Sequence, residues 1–194
     1  ADTIEYVTNY DIWVGWRKCY CGVFKAEYDG VTYYFIDNEQ YFRRPGLYGY
    51  DDDNERFAFF DFAVLELLSH IDIKPDILHL HDWQTAMIAT LYKERYAYYE
   101  YYQGIKIVFT IHNIAYQGKC DPALLSDHFG LDNYLYYNGN CRNDGCFNMM
   151  KAAIYYSDII TTVSPTYAKE ILTDSFGEGL QNILQMRRHN LYGI

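Results

Sequence analysis

The strongest constraint on this chain is a repeated pattern in which a short β-branched run stops on polar, hydrogen-bonding side chains. It occurs at Asp76-Ile-Leu-His-Leu-His-Asp-Trp-Gln84 and again at Ile105-Lys-Ile-Val-Phe-Thr-Ile-His-Asn113, with a helical segment from Trp83 to about Arg95 between them. Such a β-α-β unit crosses over right-handed and lays its two strands parallel. In an open parallel sheet the carboxyl ends of neighbouring strands face one crevice. The pattern therefore predicts that His81, Asp82, His112 and Asn113 converge on a site for a polar ligand.

The flanking sequence fills in an α/β chain. Val14 to Asp37 reads as two strands joined at Asp29-Gly30, a dipeptide suited to the positive φ angles of a tight hairpin. A loop from Asn38 to Asn54 follows, carrying Arg43-Arg-Pro-Gly46, Tyr48 and Tyr50, and its length marks it as a candidate functional loop. Phe57, Phe60, Val64, Leu67, Leu68 and Ile71 then recur at three- and four-residue spacing, which predicts a helix with one apolar stripe that ends before Lys74-Pro75. Residues 113–145 read as irregular. Beyond them the pattern predicts a helix from about Phe147 to Tyr156 and a strand over Ile159 to Val163. Ser164 is placed to cap a helix with Pro165 in its first turn, and a last helix spans Leu180 to Arg188. The expected architecture is a single domain over 1–194, a Rossmann-like three-layer α/β/α arrangement with a mostly parallel sheet.

Composition excludes several classes. A net charge of −10 without clustered Lys or Arg disfavours a nucleic-acid partner. No apolar run approaches the roughly 18 residues that cross a bilayer, and the first residues carry no targeting signal. Five cysteines, odd in number and without a CxxC pair, fit free thiols in a reducing cytoplasm better than disulfides or zinc. Asp51-Asp-Asp53 reads as a solvated loop.

Each candidate residue also has a plain structural reading. His79 and His81 share a strand face, as in metal hydrolases that place two imidazoles on one ion, but further ligands beyond His112 and Asp82 are not evident. His79 fits better as a hydrogen-bonded core histidine. Asp82 stands where it would cap the helix that begins at Trp83, a role that leaves one oxygen for a sugar hydroxyl. His112 and Asn113 end an apolar run with two amphoteric side chains, which are poor core choices. Tyr116, Gln117 and Tyr48 are loop groups able to stack on and hydrogen-bond to sugar rings, and surface tyrosine is the plain alternative in a chain with 23 of them.

Taken in order, Arg44-Pro-Gly46, Glu55-Arg-Phe-Ala-Phe-Phe60, His79-Leu-His-Asp-Trp-Gln-Thr85, Phe109-Thr-Ile-His-Asn-Ile-Ala-Tyr-Gln-Gly118, Lys151-Ala-Ala-Ile-Tyr-Tyr-Ser-Asp158 and Ile160-Thr-Thr-Val-Ser-Pro-Thr-Tyr-Ala-Lys-Glu170 resemble bacterial glycogen synthases and plant starch synthases. The resemblance implies a retaining glucosyltransferase of the GT-B fold that moves glucose from ADP-glucose to the non-reducing end of an α-1,4-glucan, without a metal or other cofactor. It implies that His112 contacts the donor glucose, with Asp82 as the other catalytic candidate. Trp83, Asn113, Tyr116, Gln117 and Tyr48 would line the sugar and acceptor side, with Tyr50 as the alternative to Tyr48.

Two departures accompany the resemblance. The family opens with a Lys-Thr-Gly-Gly-Leu loop at the nucleotide diphosphate, and the glycine-rich turn that lets a backbone approach phosphates is missing here. It also carries a second, nucleotide-binding domain after a hinge near which this chain stops. The expectation is a partial N-terminal, acceptor-side domain, inactive alone because leaving-group charge must be neutralised in the transition state. A sheet lacking its opening strand would expose an edge prone to self-association. A non-catalytic glucan-binding module and, further behind, a metal-dependent hydrolase are the alternatives.

Overall fold

A computed structural model describes residues 3–194. The chain begins with an antiparallel meander, β1 (Glu5–Val14), β2 (Arg17–Tyr28) and β3 (Val31–Asp37). Asp29 and Gly30 turn the second hairpin as predicted, with φ of 51° and 77°. The first strand was not anticipated. It buries Tyr10, Ile12 and Val14 and exposes Asp11 and Trp13, but Tyr6 and Trp13 on the outer face blur the polar half of the alternation in the sequence.

A short helix, α1 (Glu39–Phe42), opens the expected loop, capped by Asn38, whose Oδ1 accepts from the Tyr41 amide at 2.9 Å. The remainder of the loop is fastened by ion pairs. Arg44 grips Asp52 through both carboxylate oxygens at 2.5 Å, and buried Arg56 pairs with Asp53 while donating to the Tyr41 and Leu47 carbonyls. Asp52 and Asp53 are thus loop staples, where the sequence suggested a solvated run. The Arg44 guanidinium holds the Asp52 carboxyl below the usual carboxylate range.

The long helix α2 (Asp53–His70) buries a different face from the one the spacing implied. Phe59, Phe62, Ala63, Leu65, Leu67 and Leu68 are enclosed, whereas Phe57, Phe60 and Val64 are half-buried. The reason is that α2 lies between β1 on one side and the helix after the next strand on the other. A helix packed on two sides buries residues all round, so a single stripe does not describe it.

The parallel sheet follows, with β4 (Ile77–His81) and β5 (Lys106–Ile111) joined through a 3-10 turn at Trp83–Thr85 and α3 (Met87–Leu91), which continues as one π-helical turn to Tyr96. Residues 113–145 hold two short helices, α4 (Leu124–Asp127) and α5 (Tyr134–Tyr137), and strands β6 (Lys119–Cys120) and β7 (Arg142–Asn143), which pair with β8 (Cys146–Asn148) in a small antiparallel sheet. Helix α6 (Met149–Tyr156), capped by Asn148, leads into β9 (Ile159–Thr162). Ser164 caps α7 (Pro165–Glu170) through the Tyr167 amide at 3.0 Å, as its position before Pro165 predicts. Helix α8 (Gln181–Met186) is followed by β10 (Leu191–Gly193), a strand the sequence did not announce.

Strand order in the parallel sheet is β10-β9-β5-β4. Every crossover moves in the same direction, and right-handed crossovers moving one way deliver their helices to one face. That face is the buried one, carrying Leu80, Ile107, Phe109, Ile111 and Ile160. The other face of β4 carries Ile77, His79 and His81, all exposed, so these crossovers do not supply the third layer there. β4 is also the sheet edge.

Candidate functional site

The parallel register sets the site. β4 and β5 pair so that His81 lies opposite Thr110, and β9 brings Thr161 opposite Thr110 on its other side. Side chains alternate along a strand, so His79, His81, Thr110, His112 and Thr161 all point to the same, outer face. His79 Nε2 lies 2.6 Å from Thr110 Oγ1, which lies 2.6 Å from Thr161 Oγ1. His81 Nδ1 lies 3.0 Å from His112 Nε2, and the His79 and His81 rings stack obliquely with centroids 4.3 Å apart. His79 is hydrogen-bonded as expected, but it sits on the exposed face and not in the core.

Asp82 does not cap the following turn. Its Oδ1 accepts the His112 amide at 2.8 Å, while its own amide donates to the Thr110 carbonyl at 3.0 Å. One residue thereby ties the end of β4 to the end of β5. To do so it adopts φ 56° and ψ −173°, a region costing a non-glycine residue on the order of 1–3 kcal/mol and characteristic of functional turns. Thr85 takes the local fastening role instead, accepting the His81 amide at 2.7 Å and donating to the His81 carbonyl at 2.9 Å.

The neighbouring residues divide into exposed and enclosed. Asn113 is exposed, and its Oδ1 accepts the Ala115 amide at 3.0 Å, bending the chain after His112. Tyr116 stands 64% exposed. Trp83 packs edge-on to Phe57 at 5.0 Å and presses against Gly118, where a Cβ would come within 2.7 Å of the indole and φ is already +63°. Gln117, anticipated as a sugar-facing amide, is buried instead. It donates to the carbonyls of Ile114 and Glu178, both at 2.9 Å, and accepts from Asn148 at 2.7 Å. Its amide holds the loop that carries Tyr116. Tyr48 is exposed on the 43–52 loop, and among the described residues no hydrogen bond or ring contact links it to His112. Tyr50 accepts the Gly46 amide and lies under Arg44 and Arg56, so it braces the loop.

Electrostatics favour a neutral His81 ring. Partial desolvation, followed by repulsion from His79 and His112, lowers the His81 pKa below the ordinary histidine value, with Asp82 opposing. Fully enclosed Asp61 of α2 accepts the Met87 amide at the start of α3 at 3.2 Å, and its second oxygen has no partner among the described residues. Burial pushes its carboxyl well above the usual range. Among the described residues no three His, Cys, Asp or Glu side chains gather as a metal-binding group. The arrangement offers neutral hydrogen-bonding groups and exposed aromatics, the chemistry that orients sugar hydroxyls.

Sequence reasoning missed Thr110 and Thr161, the bridging hydroxyls, although Thr110 lies two residues before His112 and period-2 counting puts both on one face. It also missed Gly118 and Asp61, whose roles depend on contacts distant in sequence.

Residues 1–186 match the family described as the starch synthase catalytic domain. The chain is 50% identical over 194 residues to a glycogen synthase of Clostridium kluyveri, covering 100% of this chain and 41% of that protein. It is 51% identical over 191 residues to one of Ligilactobacillus salivarius, covering 98% of this chain and 40% of that protein. Among solved structures, the catalytic domain of starch synthase IV from Arabidopsis thaliana bound to ADP and acarbose superposes with a TM-score of 0.90 at 35% identity, covering 98% of this chain and 40% of that one. The chain thus spans about two fifths of the length of these relatives. With its paired strand ends, its Asp82–His112 tie and this match over nearly its whole length, the chain belongs to the starch synthase catalytic domain family.

Proposed function

We propose that this chain is the acceptor-side, N-terminal part of a retaining GT-B enzyme that transfers glucose from ADP-glucose to the 4-hydroxyl at the non-reducing end of an α-1,4-glucan. The observation that carries the proposal is the Asp82 carboxylate joined to the His112 amide across two parallel strand ends, within a chain of the starch synthase family. The Arabidopsis neighbour, described as bound to ADP and acarbose, supports a nucleotide and a glucan-like ligand for such a domain.

In the complete enzyme the C1–O bond to ADP breaks with oxocarbenium character, and the acceptor hydroxyl attacks from the same face. The hydroxyl proton passes to the departing phosphate oxygen. His112 orients the donor glucose. Asp82 positions an acceptor hydroxyl with the oxygen not held by the His112 amide, while Trp83, Asn113 and Tyr116 line the sugar path and Tyr48 reaches it from the 43–52 loop. Gln117 acts one step removed, by holding the Tyr116 loop. The groups that neutralise the diphosphate belong to a second domain, so the 194 residues alone do not turn over. The five free cysteines fit the reducing cytoplasm expected from the sequence. The exposed edge and open face of β4 make self-association of the isolated chain the expected behaviour, read by light scattering.

The test is substitution in the full-length protein. His112→Ala and Asp82→Asn are each expected to lower kcat by at least about a hundredfold, the scale seen when one positioned polar group is lost from a transition state. Turnover near wild type in both variants removes these assignments. Binding of maltooligosaccharide without any turnover by the full-length wild type favours the glucan-binding module instead.

A further inference from the structure

Resting on that reading, we infer that His81 is a positioning residue: it occupies Nε2 of His112 and so leaves Nδ1 as the atom through which His112 addresses a sugar hydroxyl. His81 itself has no place in the proposed chemistry, although it is exposed, as His112 is. The contact between His81 Nδ1 and His112 Nε2, at 3.0 Å, is a nitrogen-to-nitrogen hydrogen bond, which requires that one nitrogen carry a proton and the other a lone pair. The two neutral rings therefore carry the same tautomer, both Nδ1–H or both Nε2–H. When His81 donates, His112 bears its proton on Nδ1 and donates to the ligand; when His112 donates, its Nδ1 accepts from the ligand.

Both rings are fixed by the strand ends. The His81 backbone is clamped in both directions by Thr85, and the His112 amide is held by Asp82. His79 lies against His81 with ring centroids 4.3 Å apart and is itself tethered through Thr110 to Thr161. The charged or titratable groups acting on His81 are His79 and Asp82 from its own strand end and His112 from β5. Protonating both partners of the pair would leave no acceptor and place two cations 3.0 Å apart, so the pair works only while at least one ring is neutral.

The test uses nitrogen-detected NMR of the imidazoles in the 194-residue chain, together with kinetics of a full-length synthase containing it. At neutral pH, His81 and His112 are expected to show one and the same tautomer, both Nδ1–H or both Nε2–H, and His81→Phe is expected to convert His112 to a mixture of both. In kinetics, His81→Phe is expected to lower kcat/KM about tenfold and His81→Gln, which can still donate or accept, to recover most of the loss. Folding is checked by the unchanged Thr110–Thr161 and Trp83–Phe57 contacts. A His112 tautomer mixture already present in the wild type, or one unaltered by His81→Phe, overturns the inference. Matching tautomers in a full-length protein that lacks glucosyl transfer would leave the pairing standing while the proposed function fell.

Discussion

The two larger sheets of this molecule solve different problems. The meander β1–β3 has the longer strands and the cleaner alternation, burying Tyr10, Ile12, Cys19, Cys21 and Val23 against the helical layer and turning Trp13 and Tyr20 outward. Its outer face carries local pairs such as the exposed one between Lys18 and Asp11, and its long-range polar contacts, from Arg17 to Glu55 and Asp127 and from Tyr10 to the Ala63 carbonyl, run to other elements and not from strand to strand. The parallel sheet has shorter strands, and its polar side chains bond from strand to strand, from Thr161 through Thr110 to His79 and from His81 to His112. Antiparallel strands reverse at each hairpin and spread their ends over two rims, whereas parallel strands end together. The proposed site collects where the ends coincide.

Substitutions at two glycines test that contrast most severely. Gly15 turns the first hairpin with φ +57°, and a Cβ there would lie 1.7 Å from the Asp127 carbonyl oxygen. Gly15→Ala is expected to cost about 2–5 kcal/mol, combining left-handed strain with a backbone clash, while leaving the His81–His112 contact intact. Gly118→Ala should cost a similar amount and also displace Trp83. Urea denaturation followed by tryptophan fluorescence and histidine NMR distinguishes them. Equal disturbance of the site by both variants would break the contrast.

Asp61 sharpens it, because this buried acid joins α2 to the start of α3, the helix that follows β4 and its strand-end turn. Its raised pKa means that the folded chain keeps the proton while the unfolded chain loses it near pH 4, so the group subtracts stability as pH rises above about 4. Asp61→Asn removes this dependence. The variant is expected to gain on wild type by about 1–3 kcal/mol as pH rises above about 4, within the range for a buried group left without a partner, as measured by denaturation at each pH. His81 acts in the opposite sense, since its lowered pKa costs stability as pH falls below the ordinary histidine value.

Thr110→Val should have a smaller effect, about 1–2 kcal/mol, by leaving His79 and Thr161 without their shared hydroxyl. Lys18→Ala in the meander should change stability by less than about 0.5 kcal/mol, because its partner Asp11 is half-exposed and the pair is screened. A larger cost for Lys18→Ala than for Thr110→Val would reverse the ranking of the two regions.

What the sequence revealed follows the same division. The strand ends were legible because Leu80 and Ile111 are apolar neighbours of His81 and His112, and the shift from core to polar chemistry falls within one residue. Ser164 and Asp29-Gly30 were legible because caps and turns are local. The buried face of α2 was not, since Phe59 and Phe57 look alike in sequence and only the packing of β1 and α3 decides which is enclosed. Gln117 was placed by its chemistry on a sugar-facing surface, but Asn148 and the Glu178 carbonyl, distant in sequence, take up its amide. Asp82 looked like a cap because its local neighbours allow one, and the stronger competitor was the His112 amide on the next strand.

The central claim is that the strand-end pair Asp82 and His112 serves glucosyl transfer, and the most direct measurement is incorporation of labelled glucose from ADP-glucose into glycogen. Full-length wild type, full-length His112→Ala and the 194-residue chain are compared side by side. The account predicts robust incorporation by the first, a loss of at least about a hundredfold in the second, and none above background in the third. Incorporation by His112→Ala at the wild-type rate, or by the 194 residues alone, would contradict it.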